Sequence, residues 1–152
     1  MRSRSKGPVR AQGLQPQVKG LADTGFLVAF ANRNDRFHDW AVSVAAGVTE
    51  PLLTCEPVLA ETAFHLGSVQ VTLAMVRTGL IELAFDCNDH LSQLAALAQR
   101  YADRKPDLAD LCLVRMSELH PRHSVVTVDR RDFRVYRRNK RDAIPLLCPP
   151  ES

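Results

Sequence analysis

Apolar positions along the chain fall into two patterns. Val18–Ala22, Pro51–Cys55, Leu80–Phe85 and Ser124–Val128 are short, nearly continuous apolar runs of the length of buried strands. Between them, apolar residues recur every three or four positions. Asp35–Val48 carries Phe37, Trp40, Ala41 and Val44 at helical spacing, while Phe26–Phe30 simply continues the apolar character of the first run. Glu56-Pro57, an acid and a proline suited to a first turn, opens a helix through Leu66 that stops at Gly67. Val69–Arg77 predicts another helix, ended by Gly79. Asn88 or Asp89 can cap a helix bearing Leu91, Leu94, Leu97 and Tyr101, and Asp107 can cap one bearing Leu108, Leu111, Cys112, Val114 and Leu119. Ala143–Cys148 reads as a last strand, kept to an edge by Pro145. Strands alternating with helices predict one α/β domain, with a central, mostly parallel sheet and helices on both faces.

A chain of 152 residues with 45% hydrophobic content is enough for one such domain and its core. Residues 1–17 show neither period, so a disordered basic tail is expected there, with the domain over residues 18–148 and a short tail at 149–152. No apolar stretch approaches the roughly 20 residues of a membrane span. The four cysteines form no CxxC pair, Cys55 and Cys112 sit in apolar periodic segments, and the basic start lacks the apolar stretch of a secretory signal. A reduced, cytoplasmic protein is expected. Charge is uneven: residues 20–129 are net acidic, whereas residues 130–142 hold seven basic residues against two acidic. An acidic centre with basic flanks suits a polyanion held by its backbone near a cation, although either run could be plain solvated surface.

The acids carry most of the chemistry. Ligands of open parallel sheets gather beyond the carboxyl ends of the strands, and Asp23 and Asp129 both follow apolar runs that end there. Glu61 lies among Pro57, Val58, Leu59, Ala60, Ala63 and Phe64, where a carboxylate needs a cation or hydrogen bonds to stay ionised. Asp107 and Asp110 share one helix face. Each has a plainer reading. Asp107 can be a helix cap, Asp23 a turn residue before Gly25, Asp129 a cap on the following turn, and Glu61 can reach solvent. Taken together, carboxylates converging on one sheet edge repel one another unless a divalent cation joins them. All-oxygen ligands favour Mg²⁺ or Mn²⁺ over zinc, and such a site can activate water against a phosphodiester.

The segments bearing these acids resemble the PIN domain, and among PIN proteins the VapC-like toxins of bacterial toxin–antitoxin pairs. The resemblance lies in Ala22-Asp23-Thr24-Gly25-Phe26-Leu27-Val28-Ala29, Glu56-Pro57-Val58-Leu59-Ala60-Glu61-Thr62, Asp107-Leu108-Ala109-Asp110 and Thr127-Val128-Asp129-Arg130-Arg131-Asp132-Phe133, in that order over about residues 18–148. It implies a Rossmann-like fold and a metal-dependent endoribonuclease in which Asp23, Glu61, Asp110 and Asp129 form the acidic quartet. Asp107 and Asp132 match accompanying acids, and the hydroxyls of Thr24 and Thr127 can orient a carboxylate or a bound water. Mg²⁺ or Mn²⁺ would be held by Asp23, Asp110 and Asp129 with Glu61 assisting. Leu111-Cys112 departs from the small residue common after the third acid, which touches packing behind the site. The resemblance also implies an RNA substrate, a cognate antitoxin and a homodimer. Arg130, Arg131, Arg134, Arg137 and Arg138 could guide RNA or meet the antitoxin. His38, His65, His90, His120 and His123 all read as surface or packing residues.

The main competitor is a catalytically idle PIN-like module that binds RNA or a partner, which would have no need of a like-charged cluster. An aspartate-based phosphatase would need an Asp-x-Asp pair where Asp23-Thr24-Gly25 stands. A receiver domain would need a mid-chain phosphoacceptor and a lysine near the end of a late strand.

Overall fold

The computed structural model describes residues 18–151, so the tail expected over residues 1–17 lies outside the described residues. In chain order the elements begin with β1 (Gly20–Ala22), α1 (Thr24–Ala31), α2 (His38–Ala46), β2 (Leu52–Thr54), α3 (Glu56–Leu66) and α4 (Val69–Arg77). They continue with β3 (Ile81–Leu83), α5 (Leu91–Arg100), α6 (Leu108–Leu119), β4 (Ser124–Val126) and α7 (Arg130–Val135). A two-residue hairpin, β5 (Arg137–Arg138) with β6 (Asp142–Ala143), precedes β7 (Leu146–Leu147).

Five strands form a parallel sheet in the order β3-β2-β1-β4-β7. The most apolar run takes the centre: Leu21 and Ala22 of β1 are fully buried between β2 and β4. Pairing of Leu21 with both Leu53 and Val125 aligns the carboxyl ends of the three central strands. Asp23 and Thr127 therefore emerge at one edge, and Thr54 Oγ1 donates to the Ala22 carbonyl at 2.9 Å beside them.

Helix boundaries follow local chemistry. Asp23, Ser68, Asp107 and Asp129 cap α1, α4, α6 and α7 with their side chains. Gly67 ends α3 at φ 65, a conformation that favours glycine. Phe26–Phe30 lies inside α1, whose residues Phe26, Leu27 and Ala29 are buried. Asn88 and Asp89 do not cap α5. Asp86 accepts from the Asn88 N–H and starts a 3-10 turn, Cys87–His90, that leads into the helix. The segment after Asp129, expected as a turn, is a helix because Asp129 captures the Asp132 N–H at 3.2 Å. The last strand keeps its edge position, shortened to Leu146–Leu147.

The core is built on α6, which buries Leu111, Cys112, Leu113, Val114 and Met116 against the sheet, and on Phe26 packed edge-on against Trp40. Leu111 and Cys112 thus sit behind the site in the core. Cys55 and Cys112 are buried and all four cysteines are free thiols. Cys87 Sγ lies 3.5 Å from Cys112 Sγ, and burial pushes the Cys87 thiol up to about 11, so it stays protonated. Among the described residues no helix is long and apolar enough to cross a membrane.

Candidate active site

Alignment of the strand ends, together with three helix starts, gathers the acids. Asp23 leaves β1, its own N–H held by the Val126 carbonyl at 3.1 Å. Asp129 leaves the β4 edge two residues after Thr127, while Asp107 and Asp110 belong to the first turn of α6 and Glu61 to the middle of α3. Asp23, Glu61, Asp107, Asp110, Asp129 and Asp132 all line one open pocket of about 590 Å³. Gly25 forms part of its wall. A Cβ there would stand 2.6 Å from Val128 Cγ2, so a side chain would force α1 or Val128, the residue before Asp129, to shift.

Short hydrogen bonds orient the acids. Thr127 Oγ1 donates to Asp23 Oδ2 at 2.6 Å and itself accepts from the Asp129 N–H at 3.0 Å, joining two strand-end acids through one hydroxyl. Thr24 N–H donates to Asp23 Oδ1 at 2.8 Å, and Thr24 Oγ1 donates to Glu61 Oε1 at 3.2 Å. Tyr136 O–H donates to Asp110 Oδ2 at 3.2 Å.

Burial and crowding raise the proton affinity of four of the acids. Desolvation raises Asp23 to about 6, with Asp107 and Glu61 adding to the rise. Desolvation also raises Asp110 to about 7, helped by the charges of Asp107 and Asp23. Glu61 and Asp132 are raised as well, chiefly by burial and then by neighbouring aspartates. Among the described residues the ion pairs are Arg115–Glu118, Arg130–Glu151 and Arg134–Glu151, and none reaches these acids.

That donor set suits a hard divalent cation: oxygen only, crowded, and lacking a cationic side-chain partner among the described residues. In their present rotamers no three of the described His, Cys, Asp or Glu side chains form a ready-made metal cage. The hydrogen bonds explain this, since Asp23 and Asp110 are turned onto protein donors that a cation would have to share.

The arginines divide. Arg130, Arg131 and Arg134 line a second cavity of about 570 Å³ that shares Arg36, Phe37, Val128 and Asp129 with the acidic pocket. Arg137 and Arg138 point elsewhere. Arg137 Nη1 donates to the Arg134 and Tyr136 carbonyls, and Arg138 Nη1 to those of Ser117 and Pro121.

Four residues of the site were not singled out from sequence: Asp35, Arg36 and His65, which line the acidic pocket, and Tyr136, which lines the neighbouring cavity and reaches Asp110. His65, taken as surface or packing, does line the acidic pocket, and its spacing of four from Glu61 on α3 is the signal that could have found it. Arg36, stacked 4.9 Å over the Phe37 ring, lies in a segment whose pattern gives only helical spacing, and Tyr136 in one whose pattern gives only basic charge. Of the other histidines, His38 Nδ1 bonds the Ala29 carbonyl and His90 stacks on Phe85, as packing residues do.

The PIN domain family model matches residues 21–139, a span that includes every one of these acids. No curated protein matches the sequence. Among solved structures, the sarcin–ricin-loop-cleaving toxin VapC20 of Mycobacterium tuberculosis is similar in fold, with a TM-score of 0.62 and 19% identity. The match covers 72% of this chain and 88% of that one.

Proposed function

The chain belongs to the PIN domain family, and from that premise we propose that it is a metal-dependent endoribonuclease, the toxin of a toxin–antitoxin pair. The observation that carries this reading is the convergence of seven carboxylates, the six above and Asp35, on one pocket, none of them in an ion pair among the described residues. The similarity in fold to a toxin that cleaves the sarcin–ricin loop supports RNA as the substrate class.

In this mechanism Asp23, Asp110 and Asp129, with Glu61 assisting, would hold Mg²⁺ or Mn²⁺. The chemistry such a cation would supply there is Lewis acidity toward an attacking water and the departing 3′ oxygen of the RNA. The chain does the rest. Thr127 holds Asp23 in register with Asp129, Thr24 ties Asp23 to Glu61, and Tyr136 holds Asp110. Asp107 and Asp132 deepen the negative field, which attracts the cation and raises the proton affinity of Asp110. Asp23 and Asp110 must release protons before they can take a cation, so activity rises as pH passes through about 6 to 7. Arg130, Arg131 and Arg134 receive the RNA backbone beside the acids.

The proposed setting is cytoplasmic, with an antitoxin that occupies this groove and a homodimer. Phe64 at 82% exposed, beside exposed Val69 and Leu73 on α3 and α4, supplies an apolar face for a second copy.

The test is cleavage of a mixed RNA pool with Mg²⁺, Mn²⁺ or EDTA, beside Asp23→Asn. Discrete fragments that need the cation and vanish in the variant are expected. Cutting that survives the variant would sink the acidic-site mechanism, and no cutting by folded, antitoxin-free protein would favour the idle binding module.

A further inference from the structure

The cavity beside the acids already holds an anion. β7 pairs with β4, and the Leu147 carbonyl accepts from the Thr127 N–H at 3.1 Å, which lays the following segment alongside Val128 and Asp129. Pro149 is buried and its carbonyl accepts from Arg130 Nη2 at 3.1 Å. Two consecutive prolines restrict the backbone, so Glu151 is presented with little freedom to lose. Its Oε1 lies 3.5 Å from Arg130 Nε and 3.6 Å from Arg134 Nη2.

On the reading that this pocket cuts RNA, we infer that Arg130 and Arg134 form a subsite for a backbone phosphate next to the scissile one, and that Glu151 is its internal competitor. Continuity selects RNA over an acidic protein segment: Arg36, Phe37, Val128 and Asp129 border both cavities, so a strand crossing the acids runs directly into the arginines. The chemistry fits displacement. Glu151 is 72% exposed and reaches both guanidinium groups through one oxygen at long range, whereas a backbone phosphate can present its two charged oxygens, one to each guanidinium. Exposed ion pairs of this kind are weak, so Glu151 tunes affinity and does not lock the site.

The experiment is fluorescence anisotropy of a labelled single-stranded RNA on the full chain in EDTA, where nothing is cut. Glu151→Gln is expected to tighten binding about two- to fivefold, the range a surface pair commands. Glu82→Gln makes the same charge change on β3, at the opposite edge of the sheet, and is expected to leave affinity unchanged. Arg134→Gln is expected to weaken binding and to diminish the gain from Glu151→Gln, because Glu151 then competes only for Arg130. Equal gains from the Glu151 and Glu82 variants would overturn the subsite, as would a Glu151 gain undiminished by Arg134→Gln. Tighter binding of an acidic peptide with RNA unchanged would also overturn it. Binding is read without cleavage, so a protein that cuts nothing still tests the subsite. Cutting with unaltered affinities would remove the subsite and leave the nuclease standing.

Discussion

Asp23→Asn replaces a buried carboxylate by its neutral isostere, and its effect on stability should change with pH. Asp23 is 9% exposed, and burial lifts its pKa from 3.8 to about 6. Keeping it ionised in the fold therefore costs about 3 kcal/mol. A folded value above the unfolded one means that the proton binds more tightly in the native state. The group's contribution is thus fully present below about 4 and is lost as pH rises through about 6. Asparagine escapes this cost but offers only one acceptor, where Asp23 serves both the Thr24 N–H and the Thr127 O–H, a loss of about 1 kcal/mol. Without divalent ions the variant should be more stable than the parent by about 2 kcal/mol at pH 8, a Tm higher by roughly 4–8 °C in a chain of this size. At pH 4.5 the two effects should cancel. Thermal unfolding followed by circular dichroism in EDTA at pH 4.5, 6 and 8 reads this directly. Excess Mn²⁺ should then raise the parent's Tm and barely move the variant's. A variant less stable than the parent by the same amount at all three pH values would refute the claim that the fold strains against this charge.

Two further predictions test the surroundings. Tyr136→Phe removes the donor on Asp110 Oδ2, so the alkaline rise in RNA cleavage should move up by about half to one pH unit, with roughly 1 kcal/mol lost from stability. An unmoved pH profile would make Tyr136 a packing residue only. Phe64→Glu charges an exposed apolar face and should halve the mass seen by light scattering while leaving stability within about 0.5 kcal/mol. An unchanged mass would place any pairing surface elsewhere.

The sheet and most helices were legible because their signals are local. The strands are apolar runs, the caps are Asp or Ser, and Gly67 sits where α3 needs a left-handed residue. α1 was obscure because its Phe26, Leu27 and Ala29 are buried around most of the helix, which erases the period a half-exposed helix shows. Three neighbouring residues, Asp86, Asn88 and Asp89, can each cap a turn, and only the backbone path decided for Asp86. The acids could be found because a carboxylate after an apolar run has few places to go. Tyr136 could not, since it reaches Asp110 only through the turn of chain that α7 makes after Asp129. The basic run reads as one patch in sequence. Backbone carbonyls draw Arg137 and Arg138 away from Arg130 and Arg134, a division no charge count contains.

Capping a helix and lining a cation pocket had looked like competing explanations for the same acids, but a carboxylate has two oxygens. Asp23, Asp107 and Asp129 each accept a backbone N–H through Oδ1, from Thr24, Asp110 and Asp132. Among the described residues Asp107 has no protein donor on Oδ2, which leaves that oxygen for the pocket, while the Asp129 carboxyl also meets that of Asp132. The caps also answer how such a cluster survives folding. Each is worth about 0.5–2 kcal/mol, and for Asp23 the Thr24 N–H already holds down a pKa that burial would otherwise raise further. The acids are therefore held by the fold before any cation arrives, and what remains of their mutual repulsion is available to bind one.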